Sequence, residues 1–162
     1  MGKKGIWLNL KMKRERIKPK DIVVLADSGS SWSLCSDNLR RYAIDIRPIP
    51  PEVKLVSATN GAIKGTGIGL FELQFGDLTV LTDIFLVDSE MSWPYTIVGL
   101  TLLEQLNAVI NLKDKTLTLK NDGNTETIPY HSYANHHKSK RVSIITPIYK
   151  LPTLLDEDDY EN

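Results

Sequence analysis

The sequence predicts a small all-β domain with one short helix. Residues 6–12 alternate apolar and polar side chains, which is the period-two signature of a half-buried strand. Residues 22–26, Ile-Val-Val-Leu-Ala, are continuously apolar and rich in β-branched side chains, as expected of a strand covered on both faces. Turn dipeptides separate further apolar runs, and only residues 100–106 space their leucines as a helix does. A length of 162 residues corresponds to about one domain, and 41% hydrophobic content supplies one modest core rather than two. A chain with two full lobes is thereby disfavoured, and one lobe per chain is expected.

The first strand is placed near 5–13, followed by a charged turn at 14–19 and the buried strand 22–26. Pro48, Pro50 and Pro51 then interrupt regular structure. Segments 53–59 and 62–67 flank Asn60-Gly61, a pair that favours a two-residue type I′ turn because both positions must take positive φ. This predicts a hairpin with a glycine-rich, mobile return arm. In 70–75, Phe71, Leu73 and Phe75 share one face and Glu72 and Gln74 the other; Gly76-Asp77 turns the chain and 78–87 returns. A short strand at 95–99 leads into the helix, and 108–112 with 116–119 make a last hairpin about Lys113-Asp114-Lys115. Beyond the turn at 121–124 the periodicity fades. The organisation read from this is a flexible start at 1–4, a domain at 5–124, and a C-terminal extension or linker at 125–162 with an apolar island at 142–151 and an acidic end.

Charge excludes some function classes. Lys+Arg and Asp+Glu are both 20, so no global field draws the molecule to nucleic acid or an anionic membrane. The zero conceals opposed ends: residues 3–20 hold eight cations against Glu15, and the last seven residues hold Asp156, Glu157, Asp158, Asp159 and Glu161. Both read as solvated flanks, with weak docking between them as the alternative. A single cysteine, Cys35, excludes an internal disulfide framework and a cysteine-rich zinc site. No apolar run reaches the roughly 18 residues of a spanning helix, and neither a signal peptide nor a myristoylation motif is visible.

Asp27 is the most informative residue. A buried strand delivers a carboxylate toward the interior, which is unfavourable unless it is hydrogen-bonded or protonated. Asp-Ser-Gly alone reads first as a turn or capping carboxylate. Its company changes that reading: Gly29 permits a tight turn with amides facing the acid, a hairpin of covering length follows some 30 residues on, and Ile97-Val98-Gly99 opens the helix. The ordered set Ala26-Asp27-Ser28-Gly29-Ser30-Ser31, then Ala58-Thr59-Asn60-Gly61, then Ile97-Val98-Gly99-Leu100-Thr101-Leu102-Leu103 resembles the retropepsin family of aspartic proteases. Its wording is most similar to the protease segment of LTR-retrotransposon and retroviral Gag-Pol polyproteins.

The resemblance implies a small closed retropepsin-like β-barrel with a flap hairpin, hydrolysing peptide bonds through a water held between two aspartates. As in aspartic-protease dyads, two such close carboxylates share about one proton. The chain carries one Asp-Ser-Gly; Asp88-Ser89 is followed by Glu90 and is not a second copy. The partner acid must come from a second chain across a twofold axis, so the implied enzyme is a homodimer. By the resemblance Asp27 is catalytic, and Ser28, Gly29 and Ser30 form the active-site loop, with Ser28 bracing its twin. Ala58, Thr59, Asn60, Gly61 and Ala62 form the flap over an extended polypeptide bound as an added strand, and Ile97, Val98 and Gly99 form the structural glycine motif. No cofactor and no metal are implied, no nucleic-acid or membrane partner is expected, and the place is cytoplasmic or inside virus-like particles. Relatives often place a short N-terminal strand in the dimer sheet, whereas here the first strand belongs to a hairpin, so the dimer sheet is assigned to 108–119. The substrate implied is a Gag-Pol-like polyprotein. The alternatives are a cellular or domesticated retropepsin-like protease, as in ubiquitin-pathway shuttle relatives, and a catalytically silent dimeric barrel that binds peptides.

Lesser signals read blandly. Gly65, Gly67 and Gly69 precede a strand, so no helix N-terminus faces an anion. His131, His136 and His137 lack ligand spacing. Cys35 reads as a small buried hydrophobe ahead of a redox-sensitive thiol, Trp32 and Trp93 as wall or core residues ahead of subsite linings, and no nucleophile elbow is present.

Overall fold

The computed structural model describes residues 3–134. In chain order its strands are β1 (Lys4–Arg14), β2 (Ile17–Asp27), β3 (Leu34–Ser36), β4 (Asp45–Arg47), β5 (Leu55–Val56), β6 (Ala62–Ile63), β7 (Gly65–Phe75), β8 (Leu78–Val87) and β9 (Thr96–Gly99). Helix α1 (Leu100–Gln105) follows, then β10 (Val109–Asn111), β11 (Thr116–Asn121), β12 (Asn124–Pro129) and β13 (His131–Tyr133). Short 3-10 turns occupy Asp37–Tyr42 and Ser89–Met91.

Pairing of β1 with β2, β2 with β9, β9 with β3, β3 with β8, β8 with β7, and β7 back to β1 closes a barrel. Closure leaves no free edge within the ring; β13 and β4 add outside it, on β1 and β7. The continuous apolar run of β2 matches its burial, since the successive residues Val24, Leu25 and Ala26 point to alternate faces and all are buried, beside the parallel partner β9. Leu8, Leu10, Met12, Val24, Phe71, Leu73 and Phe75 fill the interior, joined by Leu102 and Leu103 from α1, by Leu106 just after it, and by Leu117 and Leu119 from β11. The period-two reading of β1 needs one amendment. Trp7, expected on the polar face, is buried edge-on against Tyr95 at 4.9 Å, with its indole N–H donated to the Lys3 carbonyl.

The turn expected at 14–19 is shorter. Glu15 and Arg16 alone connect β1 to β2, Arg16 at φ 70°, and Pro19 lies within β2. Between the pairs Met12–Lys20 and Arg14–Ile17, β1 has one residue and β2 has two, so the strand bulges at Lys18-Pro19. A bulge tolerates a residue with no N–H to give.

The Asn60-Gly61 turn also differs from expectation. Asn60 takes φ 66° but Gly61 does not take positive φ, and the loop closes through Asn60 N–H to Ser57 O and Ser57 N–H to Gly61 O. That is a three-residue hairpin loop with a left-handed residue at its end. The side chain of Ser57 favours it, because its Oγ accepts from Gly61 N–H at 3.1 Å and lies 3.0 Å from Thr59 Oγ1. The two-residue I′ geometry occurs instead at Asp122-Gly123, both at positive φ, between paired Asn121 and Asn124.

Order continues past the boundary expected at 124. β12 pairs along the whole of β11 and β13 pairs with β1. With one large apolar residue, Ile128, β12 has almost no hydrophobic pattern; its register is held by backbone pairing and a Thr118–Thr127 hydroxyl contact of 2.8 Å. The acidic end, the apolar island at 142–151, His136 and His137 lie outside the described residues. No helix among the described residues is long and apolar enough to cross a membrane.

Candidate active site

β2 and β9 run in parallel into the site and end with Asp27 beside Gly99. The chain after Asp27 turns at once: Gly29 N–H donates to Asp27 Oδ1 at 2.8 Å and Ser30 N–H to Asp27 O at 3.1 Å. This is the amide-to-carboxylate turn expected of Asp-Ser-Gly, and it leaves Asp27 half-buried at the mouth of a cleft. The other carboxyl oxygen accepts no hydrogen bond within the described chain, nor does the exposed hydroxyl of Ser28 take part in one.

The loop is strapped to the helix behind it. Leu100 N–H donates to Ser30 O at 2.7 Å, and Thr101 gives both its N–H and its hydroxyl to Ser31 O, at 3.2 and 2.8 Å. Two amides that the start of α1 leaves without helical partners are thereby satisfied. Gly99 N–H donates to the buried hydroxyl of Ser33 at 3.0 Å. A side chain at Gly99 would lie 2.6 Å from the Trp32 carbonyl carbon and 2.8 Å from Ser30 O, so glycine is required by the close approach of two backbones.

Opposite the acid stands the β5–β6 hairpin, held by the pairs Leu55–Ile63 and Val56–Ala62. Between it and the Asp27 loop lies a cleft of about 560 Å³. Of the residues expected here, Asp27, Gly29, Ser30 and Ala58 line it. Ser28 and the tip residues Thr59, Asn60, Gly61 and Ala62 do not line it within one chain, and Ile97, Val98 and Gly99 are buried beneath it. The sequence reading missed Lys54, Leu55, Val56, Ser57 and Ile63, which flank the turn rather than form it. For Trp32 the lesser of the two expectations, lining a subsite, is the one met: this side chain is 53% exposed, lines the cleft, and touches Phe85 edge-on at 6.3 Å. Its position directly after the active loop was the available signal.

No family model matches the chain, and no curated protein does. Among solved structures, the retroviral protease-like domain of Ddi1 from Leishmania major matches with a TM-score of 0.52 and 16% identity, over 76% of this chain and 93% of that one. The fold is retropepsin-like.

Within this retropepsin-like barrel the lesser signals find their places. Gly65, Gly67 and Gly69 lie on β7, where side chains would press into Ile49, Ile46 and Phe71 respectively. They are packing glycines of a strand, not a phosphate loop. Lys64, at the base of the β5–β6 hairpin, pairs with Asp88 at 3.1 Å. The Glu90 backbone amide, and next the Lys64 ammonium, hold the Asp88 carboxyl below its ordinary range. His131 Nε2 lies 3.3 Å from Asn9 Nδ2 on the β1–β13 seam. Trp93 is buried with Leu34, Ile63, Val87 and Ile97. Cys35 is fully buried, and burial, with a lesser contribution from Asp37, pushes its thiol up to about 12. Because the thiolate is the reactive form, Cys35 is expected to resist iodoacetamide at pH 8 in the folded chain and to react on unfolding, as intact mass would show.

Proposed function

We propose that the protein is an aspartic endopeptidase, assembled as a twofold homodimer in which two Asp27 carboxylates share one water. One carboxylate takes a proton from the water as it attacks the peptide carbonyl carbon. The other, protonated, hydrogen-bonds the carbonyl oxygen and gives up its proton as the tetrahedral adduct forms. The observation that carries this reading is the carboxylate of Asp27, held by the Gly29 amide at the mouth of a cleft that faces a hairpin. One chain supplies one such acid, so pairing is a condition of turnover.

The exposed edge of β10 supports the place of pairing. Val109 is 62% and Leu112 71% exposed, next to a strand whose outer edge has no partner among the described residues. Apolar side chains on an open edge invite strand addition. Wild-type chain is expected to show twice the chain mass by light scattering, and activity per chain is expected to fall on dilution. Val109→Asp should raise the dimer dissociation constant about tenfold or more, since it would bury an unpaired charge. Dilution-independent activity at monomer mass would refute the dimer.

Two substrate settings follow. The wording of the three motifs favours processing of a Gag-Pol-like polyprotein; the solved neighbour, a domain from a cellular organism, is compatible with a cellular protease. A reverse-transcriptase sequence adjoining the gene decides for the former.

A further inference from the structure

The cleft beside Asp27 is uneven in charge and in greasiness. Lys54 is the cation in its lining, exposed, and paired with no carboxylate among the described residues. The basic side chains Lys11, Lys13, Arg47 and Lys64, by contrast, each have an acidic partner. Trp32, 53% exposed, lines the same cleft, braced from one side by Phe85, with Leu55 and Val56 across from the loop. An exposed indole held by a neighbouring ring offers a large apolar contact with little ordering required on binding.

We infer, resting on the protease reading of this same cleft, that Lys54 selects peptides bearing an acidic side chain, while Trp32 seats a bulky apolar one. An extended peptide points successive side chains to opposite faces, so the two demands fall on different residues of one ligand. In a twofold dimer each chain brings its own Lys54. The acidic preference is therefore paired, one position on each side of the scissile bond and equally distant from it. The ligand class is an extended peptide with acids flanking an apolar centre.

The test uses the full chain and a positional set of peptides in which Glu, Gln and Lys exchange at each site and, in a second series, Phe, Leu and Ala do. Glu is expected to exceed Gln about fivefold in kcat/KM at two symmetric positions, the range of an exposed ion pair, with the margin shrinking in about 0.5 M salt. Lys54→Gln should erase the margin, Lys54→Glu should invert it toward Lys-bearing peptides, and Trp32→Ala should flatten the preference for bulky apolar residues. Binding of the same peptides to Asp27→Asn, followed by tryptophan fluorescence, gives a readout independent of turnover. Asp27-dependent cleavage without a Glu–Gln difference, with a margin indifferent to Lys54, or with a preference on one side alone overturns the inference and leaves the protease reading intact. Lys54-dependent binding of acidic peptides without cleavage keeps the selection and sinks the protease. Failure to bind any peptide of the set overturns both.

Discussion

Asp27→Asn is expected to lower peptide cleavage about a thousandfold or more while leaving the dimer and the fold in place. The replacement is isosteric, and its Oδ1 can still accept the Gly29 amide that shapes the turn. What it removes is the group able to accept and return a proton, and acid–base catalysis by a positioned side chain contributes about 10²- to 10⁴-fold. Both acids of the dimer change at once, because each chain contributes the same residue, so the loss should lie at the upper end or beyond. A discontinuous peptide assay near and below neutral pH, run beside light scattering and thermal melting, separates loss of chemistry from loss of structure. Full activity in this variant would remove Asp27 from the mechanism, and a melting midpoint displaced by many degrees would show that the acid holds the loop rather than the water.

Gly99→Ala is expected to be the most damaging small substitution in the barrel. The added methyl would be driven against the Trp32 carbonyl and within 2.8 Å of Ser30 O, atoms of backbone that cannot rotate away as a side chain would. Overpacking of a rigid site costs about 1–3 kcal/mol and occasionally more, and the upper end applies here. For a domain of this size that lowers the melting midpoint by roughly 10 °C. Activity should fall further than stability alone accounts for. Moving residues 30–32 breaks the Leu100–Ser30 and Thr101–Ser31 hydrogen bonds that hold the loop carrying Asp27. Melting and cleavage measured well below the midpoint check both parts. A midpoint unchanged within about 2 °C would mean that the loop and helix start have room that the packing denies them.

Local signals were legible where the chain's chemistry is local. The alternation in β7 placed Phe71, Leu73 and Phe75 inward, and the greasy run of β2 was that of a strand with neighbours on both faces. Asp27 stood out for the same reason, as a carboxylate at the end of that run. Turn type was less legible: Asn60-Gly61 and Asp122-Gly123 carry similar dipeptides, yet only the second adopts the two-residue form. The difference lies with Ser57, whose hydroxyl rewards the longer loop, and a dipeptide rule does not see it. β12 and β13 escaped the reading because periodicity detects buried side chains, and these strands are held chiefly by main-chain pairing to partners already in place.

The linear order of residues determined that one chain holds one Asp-Ser-Gly, that an apolar strand delivers its acid, and that a glycine stands at the opening of the helix. Those are matters of composition and short spacing, which survive without coordinates. Only the folded barrel decided that Trp32 and Lys54 share the cleft with Asp27, and that the hairpin flanks, with Ala58 alone of the expected tip, line it within one chain. Residues 27, 32 and 54 lie on separate segments whose distance in space depends on how β2, β9 and the β5–β6 hairpin are packed, and no local propensity encodes that distance.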